Sequence, residues 1–280
     1  NNIIGFANAS GTGTTNMIGN SVTLAGFPAS YSASGTPVAI RFVGIGVSLA
    51  LFGSTSNIDG NTVGGIAMYT GSNASTFFGM LGGIYVESGT VNIGANAGNI
   101  IGASSGANSI YVATSGVGGT VVAIRSACII SSSIQNNIIG SITVSGTSPA
   151  VSGNFTGINF AGNCNYTVSS NSIGNADADN IKVGYMLSAG ALSNAGSLST
   201  LNAGVTATFK GITTGSSGNV LAITGNTLQG WTTSCALTSV TGIETTGTLT
   251  GGSPSANINN NALGTASRNW LNAADNVISY

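Results

Sequence analysis

The chain has 280 residues, of which 4% are charged, five basic against six acidic, with no histidine and a formal net charge of −1. Ordinary globular proteins carry roughly 25% charged residues. The surface here must therefore be built from Ser, Thr, Asn, Gly and backbone, which lack the basic footprint that nucleic acid or anionic lipid requires, and a nearly neutral particle is prone to self-association.

Hydrophobic residues still make up 42% of the chain, many of them β-branched, so it can bury a long core instead of staying disordered. Forty-four glycines against four prolines suit many tight turns between short strands. Val43 to Phe52 is apolar but only about half of the roughly 20 residues a membrane span needs, and it reads as a buried strand pair. The chain opens on Asn1 without Met or a basic leader, as expected of a processed chain or a segment of a longer one.

In chain order, one short string recurs: Asn2-Ile3-Ile4-Gly5, Asn16-Met17-Ile18-Gly19, Asn61-Thr62-Val63-Gly64, Asn99-Ile100-Ile101-Gly102, Asn137-Ile138-Ile139-Gly140, Asn171-Ser172-Ile173-Gly174 and Asn261-Ala262-Leu263-Gly264, with a looser copy at Asn226. A second mark precedes it, as Ala39-Ile40, Gly83-Ile84, Ala123-Ile124, Gly157-Ile158, Gly211-Ile212 and Gly242-Ile243. Most intervals between successive asparagines are 34 to 38 residues. Two marks in fixed order define a repeat of two or three short strands, each alternating apolar and polar, as in Ile84, Val86, Val91 and Ile93. Such a unit cannot bury an apolar face alone and must stack on copies of itself. In-register stacking at about 4.8 Å gives an all-β parallel β-helix, a β-solenoid of about seven to eight coils and roughly 35 Å height, forming a single domain over residues 1–280.

Within such a stack, Asn2, Asn16, Asn61, Asn99, Asn137, Asn171, Asn226 and Asn261 are expected to form a ladder. Each carboxamide can both donate and accept, and so can satisfy turn backbone that no strand reaches. The Ile or Leu two places on points inward. The strings GIYVESGTVNIGANAGNIIG, from Gly83, and IQNNIIGSITVSG, from Ile134, resemble the parallel β-helix repeat of the pectin-lyase-like superfamily. Repeat-rich secreted and surface proteins of Bacteroidota are especially similar. The resemblance implies a right-handed helix and leaves its use open, since enzymes, adhesins and tail spikes share the repeat.

Two longer intervals predict lateral insertions, near 26–35, with Phe27, Pro28 and Tyr31, and at 175–207. Insertions on a solenoid often form the binding face, which makes Asp177, Asp179, Lys182 and Tyr185 the candidate ligand-facing residues. Asp177 and Asp179 admit three readings: a polar turn, a weak calcium site without the Gly and distal Glu of an EF-hand, or two carboxylates flanking a glycosidic bond. Cys128 and Cys164 lie 36 residues apart, near one repeat length, and could be bridged or be small buried side chains; Cys235 is left over. Without histidine or a CxxC pair a zinc site is excluded, and nothing calls for a cofactor.

Arg41 and Arg125 each follow an Ala-Ile mark and are expected at equivalent outward positions. The charges, scattered along the whole chain, form no catalytic constellation. Asn8, Asn73, Asn154 and Asn165 open Asn-x-Ser/Thr glycan sequons. No cap precedes Asn2, whereas Thr265 to Ala274 reads as a short helix burying Trp270 and Leu271; at least one end of the stack is expected to be open. These features point to an extracellular, cell-surface structural protein whose partner is itself, stacking end to end into a filament, sheath or adhesin stalk. The alternative is a secreted polysaccharide-binding or polysaccharide-degrading β-helix protein. Ice binding ranks last, because its Thr pairs do not recur with the period.

Overall fold

The structure is a computed structural model. It describes residues 2–6, 11–12, 15–18, 39–49, 55–127, 130–162, 164–177, 179–187, 198–200, 206–215, 218, 220–233, 237–250 and 253–273. The alternating segments all become strands, and no helix occurs among the described residues. The chain winds through four parallel sheets in a fixed order, so each turn has four strands where the sequence suggested two or three. One turn runs from Asn99 through Ile100–Gly102 in the ladder sheet, Ile110–Thr114 in the second sheet, Thr120–Ser126 in the third and Ser131–Gln135 in the fourth, then reaches Asn137. This is a parallel β-helix.

Stacking is in register, which places like side chains over like. Inside the ladder sheet Ile4, Val63, Ile101, Ile139, Ile173, Leu228 and Leu263 form a column. Facing it across the core, Ile124, Ile158, Ile212 and Ile243 form another in the third sheet. Ile58, Ile93, Ile134, Val168, Ile223 and Ile258 line the fourth. Each fully buried aliphatic contributes about 1.5–3 kcal/mol, and no turn could bury its own set without the neighbours on either side.

The Gly-Ile mark has a steric cause. A Cβ on Gly157 would lie 2.7 Å from the Gly211 carbonyl of the next turn and 3.1 Å from Ile173 opposite. The chain bends inward at this point to meet the ladder sheet, and only a very small residue fits. Ala39-Ile40 does not belong to this column; Ile45 is the partner of Ile84, and Arg41 precedes Phe42, which pairs with Leu81. Arg125 pairs with Asn159, so Arg41 and Arg125 are not equivalent rungs.

Three further expectations are corrected. Val43 to Phe52 is not a buried strand pair: Phe42–Ser48 is one partly exposed strand paired along one edge to Leu81–Ser88, and residues 50–54 lie outside the described part. The short helix expected over Thr265 to Ala274 is not formed in residues 265–273, because Thr265 and Arg268 close a turn and Leu271–Ala273 is a strand paired with Trp231–Thr233; Ala274 lies outside the described residues. Asn16 sits in Thr15–Ile18 of the second sheet, opposite Ala67, and takes no part in the ladder sheet. Its Asn-x-Ile-Gly string fits the motif, but its place in the turn does not. The insertion near 26–35 lies outside the described residues. In the second insertion, Leu198–Thr200 returns antiparallel to Ile181–Leu187.

Candidate functional site: the asparagine ladder and the ends of the stack

Every motif asparagine except Asn16 stands at the corner between the fourth sheet and the ladder sheet. The residue before it takes a left-handed backbone at Gly60, Asn136, Ser170, Gly225 and Asn260. At the following corner the glycine that ends the motif does so again at Gly5, Gly102, Gly174 and Gly264, with φ of 90° at Gly102 and 82° at Gly174, whereas after Gly64 and Gly140 the next residue, Gly65 or Ser141, takes that conformation. A Cβ on Gly102 or Gly174 would come within 1.7 Å of a carbonyl of the next turn. The Asn-x-Ile-Gly string is therefore the local chemistry of two corners and the short strand between them.

Between the corners runs an unbroken ladder. Nδ2 of Asn2 donates to Oδ1 of Asn61 at 2.9 Å, and the same bond joins Asn61 to Asn99, Asn99 to Asn137, Asn137 to Asn171, Asn171 to Asn226 and Asn226 to Asn261, at 2.8–3.0 Å. Each receiving Oδ1 also accepts the backbone N–H of the preceding asparagine at 2.9–3.1 Å. Asn99, Asn137 and Asn226 are completely buried. Unlike a carboxylate, a carboxamide can accept on one side and donate on the other, which makes the column directional.

That direction has two unlike ends. Among the described residues the side-chain Oδ1 of Asn2 has no donor and the backbone N–H of Asn261 has no acceptor. Large apolar side chains are exposed at the same places: Ile3 is 48% exposed beside Asn2, and Leu263 51% and Ile258 48% beside Asn261. Beside Leu263 is a depression of about 590 Å³ lined by Gly264, Arg268, Asn269 and Trp270. Trp270 is the last member of an aromatic run through the core. In it Phe155 meets Phe209 edge-on at 5.5 Å, Phe209 stacks on Trp231 at 4.1 Å, and Trp231 lies 5.7 Å from Trp270.

No family model, no curated protein and no solved structure matches the chain. The fold and the residues themselves carry whatever can be said of function.

The insertion residues are only partly brought together. Asp177 accepts the Gly106 N–H at 2.6 Å and closes an Asx turn with Asn175, tying its loop to the one two turns earlier. Asp179 instead accepts from the Thr232 hydroxyl at 2.8 Å. Lys182 lies in register between Thr143 and Thr232, on the same strand as Tyr185. Burial, then the Asp179 charge, pushes the Tyr185 hydroxyl up to about 12. Lys182 and Tyr185 thus share a strand of the second sheet, Asp179 reaches that sheet from the turn before it through Thr232, and Asp177 is bonded to a different loop. The described residues contain no group of three metal-ligand side chains.

Cys164 is buried and disulfide-bonded, whereas Cys128 and Cys235 lie outside the described residues. Arg41 and Arg125 converge on one loop despite their different registers. The Arg41 guanidinium lies 4.1 Å from the Phe78 ring and donates to the Gly79 carbonyl at 2.7 Å; Arg125 lies 5.5 Å from the Phe77 ring and donates to the Phe77 carbonyl at 3.2 Å. Lys210 and Glu244 form an ion pair at 2.6 Å between adjacent turns, the only one among the described residues.

Sequence reasoning missed a second, shorter ladder at the next corner. The Gly65 N–H donates to the Ser109 hydroxyl at 3.2 Å, the Ser109 N–H to the Ser141 hydroxyl at 3.0 Å, and the Ser141 N–H to Oδ1 of Asn180 at 3.2 Å. Its residue type changes from turn to turn, so no string marks it.

Proposed function

We propose that this chain is a structural β-helix subunit that stacks head to tail on copies of itself, building an extracellular filament, sheath or adhesin stalk. The observation that carries the reading is the mismatch of the two ladder ends. An acceptor without a donor at Asn2 faces one way, and a donor without an acceptor at Asn261 faces the other. A second copy placed one strand spacing beyond Asn261 would offer its Asn2 Oδ1 to Asn261 and its Ile3 and Ile4 to Ala262 and Leu263, continuing the register that already joins every turn. A heterologous contact of this kind does not close on itself and therefore propagates. The low charge removes the repulsion that would oppose it. The resemblance of the repeat strings to pectin-lyase-like repeats of secreted and surface proteins of Bacteroidota supports placement outside the cell.

The test is electron microscopy and light scattering of the purified chain and of Asn2→Ala. The substitution deletes the acceptor proposed to meet the next copy while leaving every buried side chain in place. Filaments from the parent chain and their loss, or a critical concentration raised about tenfold, in Asn2→Ala are expected from about one lost hydrogen bond per contact. Monodisperse short rods at high concentration from both chains would overturn the reading.

A further inference from the structure

The fourth sheet differs from the second and third in charge. Its six strands, from Ser56–Ile58 to Ser255–Asn259, contain no charged residue, whereas Glu87, Arg125, Lys210 and Glu244 stand on strands of the third sheet and Lys182 on the second. Asp59, one residue beyond Ser56–Ile58, is taken up by the Asn96 carboxamide at 2.8 Å. The ladder sheet is equally uncharged, but its strands are only two or three residues long. Pairing in the fourth sheet is also even. Alternating with the inward column of Ile58 to Ile258, the outward row Asn57, Asn92, Ser133, Thr167, Ala222 and Asn257 runs without a break in register. The second sheet shifts between Val144 and Ser145 and the third between Val47 and Ser48. Such irregularities bend and twist a strand, and outward charges keep one sheet from packing on another. The outer face of the fourth sheet has neither safeguard.

Several of its polar side chains are already held. The Asn92 carboxamide reaches Oδ1 of Asn57 at 3.4 Å, the Ser133 hydroxyl donates to Oδ1 of Asn92 at 3.0 Å, and Oδ1 of Asn165 accepts the Val220 N–H at 2.9 Å. Covering groups that are fixed and partnered within the sheet costs less ordering entropy and leaves fewer of them unpaired. Apolar surface borders them, with Ile130 54% and Val220 40% exposed. Short uncharged side chains of this kind interdigitate across two sheets about 10 Å apart. Size then sets when they do so. Six strands of up to five residues cover about 29 by 16 Å, or about 450 Å² per copy. Two lone subunits face to face would bury about 900 Å² in total, within the range of weak and transient contacts, whereas two stacked subunits against two others would bury about 1,800 Å², the size of a specific interface.

We propose that the outer face of the fourth sheet is the lateral interface between two filaments of this chain, each copy packing this face on the same face of a second copy. The inference rests on the end-to-end reading, because only stacked subunits present enough of the face to hold. A face that meets its own copy about a two-fold axis is self-complementary and closes at two. The product is a double filament, with the charged third sheets left in solvent.

Electron micrographs of assembled parent chain, Thr167→Lys and Thr213→Lys test it, with sedimentation of each chain below its critical concentration. The parent should form double filaments and sediment as a monomer when unassembled. Thr167→Lys places like charges against each other in the middle of the face, and should give single filaments at an unchanged critical concentration, with the paired fraction reduced about tenfold or more. Thr213→Lys adds the same charge to the third sheet and should pair as the parent does. Should Thr167→Lys fail to fold by its circular dichroism melt, Ser131→Lys, at an exposed position on the same face, carries the same expectation. Single filaments from the parent, pairing that survives the lysine on the fourth sheet, pairing lost equally in Thr213→Lys, or stable dimers of unassembled subunits would each overturn the lateral interface and leave end-to-end stacking standing. Absence of any filament from the parent would instead sink the stacking itself, and the pairing with it.

Discussion

Replacing Asn137 with Ala tests whether the ladder holds the turns together or merely accompanies their stacking. Asn137 is fully buried, and its Oδ1 receives both the backbone N–H of Asn99 at 3.0 Å and Nδ2 of Asn99 at 2.9 Å. The substitution strips two buried donors of their acceptor at once. A buried group left unpaired costs about 1–3 kcal/mol, so the loss should be about 2–6 kcal/mol. Asn171 is spared, because its Oδ1 keeps the Asn137 N–H at 3.0 Å. Asn2→Ala is the internal control: it removes one donor from Asn61, whose Oδ1 retains the Asn2 N–H at 3.1 Å, and should cost below about 1 kcal/mol. Urea denaturation of unassembled protein, followed by circular dichroism, reads both. If the two variants unfold at the same denaturant concentration, the ladder does not carry the stability assigned to it.

Other substitutions probe different parts of the stack. Gly174→Ala should cost more than about 3 kcal/mol, since it combines a left-handed backbone with a Cβ 1.7 Å from the Gln229 carbonyl; a differential scanning melt within a degree or two of the parent would contradict it. Burial raises the Tyr111 hydroxyl to about 12 from an ordinary value near 10. Over that range the unfolded chain sheds a proton that the native chain keeps, so stability should fall by about 1.4 kcal/mol per pH unit. Tyr111→Phe should remove that share of the slope and leave the similar one from Tyr185, and a parent chain equally stable throughout the range would refute the account. In a Trp231→Phe background, emission from Trp270 should shift to the blue as copies assemble and bury the depression it lines; unchanged emission on filament formation would place the contact elsewhere.

The fold was legible because its two sequence marks are also its two tightest steric demands. The corner asparagine must donate and accept, the corner glycine must let a carbonyl approach, and the inward Gly of Gly157-Ile158 must clear Ile173. The third and fourth sheets were harder to separate by eye, since period-two alternation does not show where a strand ends and a bend begins. Asn16 shows the limit of a four-letter string, because position within the turn, which no local pattern encodes, decides whether an asparagine reaches the ladder. The Gly65, Ser109, Ser141 and Asn180 column escaped for the opposite reason: three residue types do one job there.

Each ladder bond joins one asparagine to another of the same kind, so every interface between turns is chemically interchangeable with the next. A gene duplication adding one whole turn, or a deletion removing one, would leave a junction whose two faces already fit. The insertion at 175–207 shows the complementary freedom, since chain added between corners leaves Asn171 bonded to Asn226 across 55 residues as if nothing intervened. Length in this architecture is thus open to evolutionary adjustment in whole-turn steps, and surface decoration can vary without renegotiating the interior.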